Sequence, residues 1–141
     1  MSLIKQLKQE HVEILRLLDA LEIALNNGNN HEELLSNLRE LKMTLVAHLK
    51  LEDKLLYPTL ANSKNEEIIK LGAQFAEEMT GITEDVLKYF SKYLKEEISD
   101  LKKNEEFKKK TTDIKKIVNK RVKIEEEILY PTYEKENKKD G

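Results

Sequence analysis

Three side chains in the first half of the sequence have the types and spacing for metal chemistry: His11, His48 and Glu52. His48 and Glu52 lie four residues apart, so on a helix they stack on one face. Neutral imidazoles and carboxylates suit Fe(II), Zn(II) or Mn(II), and two histidines with one carboxylate is also the ligand set of non-haem iron sites with open positions. The face that carries them is otherwise apolar. Leu34, Leu38, Leu41 and Leu45 lead to His48, Glu52 and Leu55, at the alternating spacing of a packed helix seam. A carboxylate in a leucine seam needs a partner, a proton or a metal. His11 lies in a second stripe of the same kind, with Ile4, Leu7, Ile14, Leu18, Leu21 and Leu25.

Four helices must position these residues. The first is predicted from about Ser2, its cap, to about Asn27, where an Asn-rich run around Gly28 breaks it. Asn30 with Glu33 reads as the cap of the second helix, which carries His48 and Glu52 and is expected to end near Tyr57-Pro58. A turn over Asn62, Ser63 and Lys64 follows, with Ser63 and Glu66 as a capping box. The third helix carries Ile68, Phe75, Met79, Ile82, Val86 and Tyr89 or Phe90 in its seam and is expected to end around Ile98. A polar stretch near Ser99 to Asn104 precedes the fourth, whose seam reads Phe107, Thr111, Ile114, Val118, Arg121, Glu125 and Ile128.

The chain contains a faint internal repeat. Leu56-Tyr57-Pro58 returns as Leu129-Tyr130-Pro131. Superposing the two aligns Glu52 with Glu125 and His48 with Arg121, and Glu10-His11 falls on Glu78-Met79. Each half is then a helical hairpin, and the two are expected to pack as an all-α, up-down-up-down four-helix bundle. One domain is expected over residues 1–136, followed by a polar tail, 137–141. The repeat places one polar layer inside the bundle: His11, His48, Glu52, Met79, Arg121 and Glu125. Arg121 is expected to fork across Glu52 and Glu125. Tyr57 and Tyr130 are expected at the bundle end, and His31 at a solvated helix start.

Composition narrows the class. A length of 141 residues fits one domain with a core. Charged residues make up 37% of the chain, and four glycines and two prolines leave little room for sheet or disorder. A net charge of -2 argues against a nucleic-acid binder. With no cysteine, disulfides and thiolate metal sites are excluded. No apolar run is long enough to span a membrane and no signal-peptide pattern opens the chain, so a cytoplasmic protein is expected. No nucleophile–base pair is evident, so no catalytic residue is assigned.

Together, His11, the His48–Glu52 pair and the Glu-Asp-Lys-Leu-Leu-Tyr-Pro that follows resemble the hemerythrin-like, or HHE cation-binding, domains. The resemblance runs from the first helix to Pro131. It implies a bundle enclosing two irons bridged by carboxylates, one taking histidines from helices one and two, the other from helices three and four. Only the first set matches here, as His11, His48 and Glu52. Phe75, Met79 and Arg121 stand where the second set's histidines would be. The second bridging carboxylate is Glu125, or Glu126 if the family's longer spacing holds. The resemblance therefore implies one non-haem iron, with zinc or manganese as substitutes, held by His11, His48, Glu52 and Glu125. Roles in O2 or NO sensing or iron handling follow from the same likeness. The alternative is a descendant that has lost its metal and serves as a structural or protein-interaction module.

Overall fold

The apolar stripes form long helices that bury them against one another. In the computed structural model, which describes residues 2–27, 31–94 and 104–140, with side chains described to residue 137, the protein is a four-helix bundle. Helix α1 is Leu3–Asn26, capped by the Ser2 side chain, which accepts from the Lys5 N–H. Helix α2 is His31–Leu51. A π-helical turn, Glu52–Leu56, joins it to the short α3, Tyr57–Ala61. Helix α4 is Glu66–Tyr93 and α5 is Glu105–Ile124. A second π turn, Glu125–Leu129, leads into α6, Tyr130–Asp140. No helix among the described residues is long and apolar enough to cross a membrane.

Several boundaries differ from expectation. The second rod does not stop at Pro58 but continues to Ala61. Its π turn closes with the Tyr57 N–H on the Glu52 carbonyl, a wider loop than an α turn. The π turn ends two residues before Pro58, whose ring would crowd a regular α turn. Tyr130 and Pro131 repeat the arrangement, with the Tyr130 N–H on the Glu125 carbonyl. The extra residue also shifts the seam by one. Leu55 and Ile128, expected inside, are 44% and 46% exposed, while Leu56 and Leu129 are fully buried.

The cap of α4 is Asn65, whose side chain accepts from the Glu67 N–H. Ser63 instead accepts from the Asn65 N–H, so the expected Ser63–Glu66 box does not form. Helix α4 ends at Tyr93, short of Ile98. Asn104 caps α5 through the Phe107 N–H. The Asn30 cap and the stretch from Ser99 lie outside the described residues.

The core divides in two. One apolar cluster includes Ile14, Leu18, Leu45, Met79 and Val118. The other includes Leu7, Leu56, Tyr57, Phe75, Leu129 and Tyr130. On each rod the expected polar-layer residue falls at the boundary between the clusters. His11, His48, Glu52, Met79, Arg121 and Glu125 are all buried. The two halves approach closely where α3 crosses α4: a Cβ at Gly72 would lie 2.8 Å from Leu60 Cβ.

Candidate metal centre

Helix α1 brings His11 to the layer and α2 brings His48; the two rings lie 4.7 Å apart between centroids. Each ring is held at Nδ1 by a carboxylate from a different helix. Glu10, on α1, meets His48 Nδ1 at 2.8 Å. Glu126, in the second π turn, meets His11 Nδ1 at 2.6 Å. A carboxylate at Nδ1 fixes the tautomer and leaves Nε2 to serve as a ligand. Both Nε2 atoms turn into the layer, His11 Nε2 lying 2.9 Å from Glu125 Oε1 and His48 Nε2 lying 3.1 Å from Glu52 Oε1.

The π turns place the carboxylates. Glu125 and Glu126 both reach His11, one at each ring nitrogen, so the choice between them resolves into two positions on one imidazole. One ligand atom from each of His11, His48 and Glu125 lies within 4.8 Å of the others, a group that could hold a metal ion. Glu52 stands at its edge and does not complete the trio.

Arg121 departs from expectation. Its Nε donates to Glu125 Oε2 at 3.2 Å, but it does not fork onto Glu52. Its Nη2 donates to Tyr57 Oη at 3.1 Å and to the Phe75 carbonyl at 2.9 Å. Glu52 is met by Tyr130 instead, whose hydroxyl lies 3.0 Å from Glu52 Oε2, 3.0 Å from His11 Nε2 and 3.2 Å from Glu125 Oε1. The tyrosines, expected at the bundle end, thus belong to the centre. The repeated Leu-Tyr-Pro was a visible signal for them, but its apolar context read as packing. Glu10 was hidden because an acidic residue beside His11 on a charged helix looks like solvated surface. His31, at the start of α2, is half-buried.

The electrostatics follow from crowding. Burial disfavours a charged imidazole at His48, but Glu125 and Glu52 outweigh it and raise its pKa to about 10. Burial also opposes ionisation of Glu125, yet His11 and His48 hold its carboxyl far below the usual carboxylate range. Glu52 goes the other way. Burial raises its pKa and, with the charge of Glu125 added, outweighs the lowering by His48 and Tyr130. Burial, then the two carboxylates, push the Tyr130 phenol far above its ordinary value, so it stays a neutral donor.

One phenol proton cannot serve three acceptors. Glu52 Oε1 is buried without a hydrogen-bond partner among the described residues; His48 Nε2 is near it but poorly aligned for a bond. With Nδ1 of each histidine donating outward, the inner nitrogens and carboxylate oxygens face one another as lone pairs. A buried cluster of that kind calls for a cation or for protons. A cavity of ≈ 20 Å³ bordered by His11, His48, Glu52, Arg121 and Glu125 has room for about one water-sized species. Its opposite wall is apolar, formed by residues such as Ile14, Leu45, Met79 and Val118. The donor set, the outward tethers and the orphaned oxygen all fit one divalent ion.

Searches of curated proteins and of solved structures return no match. A family model described as the hemerythrin HHE cation binding domain matches residues 2–133, which spans both hairpins and every residue of the layer. The chain belongs to the hemerythrin HHE cation-binding family.

Proposed function

We propose that the protein binds a single divalent metal ion in the core of the bundle. The observation that carries this reading is the convergence of His11 Nε2, His48 Nε2 and Glu125 while both Nδ1 atoms are tied to carboxylates. Residues built only for packing have no use for that double tether. His11, His48 and Glu125 are the proposed ligands, with Glu52 closing the set through its unpartnered Oε1. Tyr130 donates its proton to whichever inner acceptor the metal leaves free. The family resemblance favours iron, and the nitrogen–carboxylate donor set also admits zinc and manganese.

Bound iron would supply an open coordination position. The apolar wall of the cavity suits a small uncharged molecule there, which agrees with a role in sensing O2 or NO or in iron handling. The protein's own part is to hold the histidines in one tautomer, orient Glu125 and keep bulk water out of the layer.

A second reading has two observations in its favour. The raised pKa of His48 and the 2.9 Å contact between His11 and Glu125 also suit a metal-free layer satisfied by imidazole protons. Such a protein would act as a structural or interaction module. Metal analysis of protein purified without chelators separates the two. The metal reading expects close to one equivalent of iron, zinc or manganese. No retained metal, even after anaerobic Fe(II) addition, supports the metal-free reading.

A further inference from the structure

We propose that Arg121 permanently fills the second cation position of this bundle, so that the centre consists of one metal ion and one guanidinium with Glu125 bridging them. The inference rests on the single-metal reading above. Glu125 already divides its oxygens between two partners. Oε1 faces the histidines, 2.9 Å from His11 Nε2 and 3.9 Å from His48 Nε2, while Oε2 accepts from Arg121 Nε at 3.2 Å. A carboxylate shared in this way between the histidine side of the layer and a guanidinium is a bridge whose far end is a side chain rather than an ion.

The rest of the guanidinium sits in a built cage. Nη2 donates to Tyr57 Oη and the Phe75 carbonyl, Nη1 lies 3.5 Å from Glu78, and the guanidinium carbon is 4.8 Å from the centre of the Phe75 ring. Arg121 is only 6% exposed. The repeat gives the arrangement its meaning. Arg121 stands at the register of His48, Glu78 at that of Glu10 and Met79 at that of His11. Glu78 faces Arg121 as Glu10 faces His48, at a longer distance. The second half-site thus keeps its outer carboxylate and exchanges two nitrogen ligands for a thioether and a fixed cation. A guanidinium offers N–H donors and a positive charge but no acceptor, so Arg121 neither ligates a metal nor tolerates a dication beside it. It is a positioning residue for Glu125.

Titration of the full-length protein with Mn(II), followed by paramagnetic resonance, tests this. The wild type is expected to saturate at one ion with the resolved hyperfine pattern of an isolated centre. Arg121→Glu replaces the cation by a carboxylate beside Glu125 and Glu78, and is expected to take a second ion, with the signal broadened by coupling across Glu125. Arg121→Lys keeps the charge and is expected to stay at one. Should Arg121→Glu not fold, Arg121→Ala offers the same test, because added guanidinium should expel the second Mn(II). Two coupled ions in the wild type, or saturation at one ion in every folded variant, would overturn the assignment of Arg121 and leave the single-metal reading standing. No binding by the wild type would instead remove that reading, and this inference with it.

Discussion

Glu10 directly precedes His11, yet its carboxylate crosses to α2 and meets Nδ1 of His48 at 2.8 Å. His11 takes its own carboxylate from Glu126 in the second π turn. The outer acids are therefore exchanged between helices, and each imidazole is oriented by an element other than its own. Removing such partners lowers metal affinity by about 10–100-fold. Glu10→Ala and Glu126→Ala are each expected to weaken binding within that range, with unchanged stoichiometry at saturation. Calorimetric titration checks this, and wild-type affinity in both variants would mean that the tethers do not orient the ligands.

The proton on His48 makes metal-free stability depend on pH. An unfolded imidazole titrates near 6.5, whereas His48 in the fold titrates at about 10. Its protonation therefore stabilises the metal-free fold fully below about pH 6.5, and that contribution is lost as pH rises through 10. Glu125 acts in the opposite sense. Its lowered pKa contributes stability above the ordinary carboxylate value, which is lost on acidification. Metal must displace the His48 proton, so affinity should rise with pH and binding should release protons. Denaturant midpoints measured with chelator should fall between pH 7 and 10, and those of the loaded protein should change less. Parallel profiles would contradict the shared use of His48 by proton and metal.

Tyr130→Phe removes the phenol proton that lies among Glu52, Glu125 and His11 while preserving shape. Leaving buried acceptors unmet costs about 1–3 kcal/mol. The metal-free protein is expected to lose that much stability by urea unfolding, and the metal-loaded protein less, since the ion takes over some of those acceptors. Equal losses in the two states would place the hydroxyl outside the centre's hydrogen bonding.

Away from the site, Gly72→Ala tests the packing that seats Tyr57. The new methyl would meet Leu60 Cβ, an atom fixed to the backbone, at 2.8 Å, and Leu60 is fully buried. Overpacking of this kind costs about 1–3 kcal/mol. A lower thermal midpoint with unchanged metal stoichiometry is expected; an unchanged midpoint would show that α3 is free to shift.

Much of the site is legible in the repeat. Seam periodicity put His11, His48, Glu52, Arg121 and Glu125 at one depth, because buried positions on a helix recur at a fixed spacing. What it could not carry was local backbone geometry. A π turn adds one residue without changing the character of the flanking sequence, so uniform spacing points Leu55 and Ile128 inward where Leu56 and Leu129 are the buried ones. The same turn presents both Glu125 and Glu126 to His11, which a uniform helical spacing cannot do. Exchange of Glu10 to α2 was equally hidden, because it depends on how two helices pack and not on either alone.

The most direct measurement is anomalous diffraction from crystals soaked in Mn(II). A single peak is expected within direct bonding distance of His11 Nε2, His48 Nε2 and a Glu125 oxygen, with the Arg121 guanidinium still on the far oxygen of that carboxylate. Crystals with no density at the layer, or with manganese only on surface acids, would contradict it.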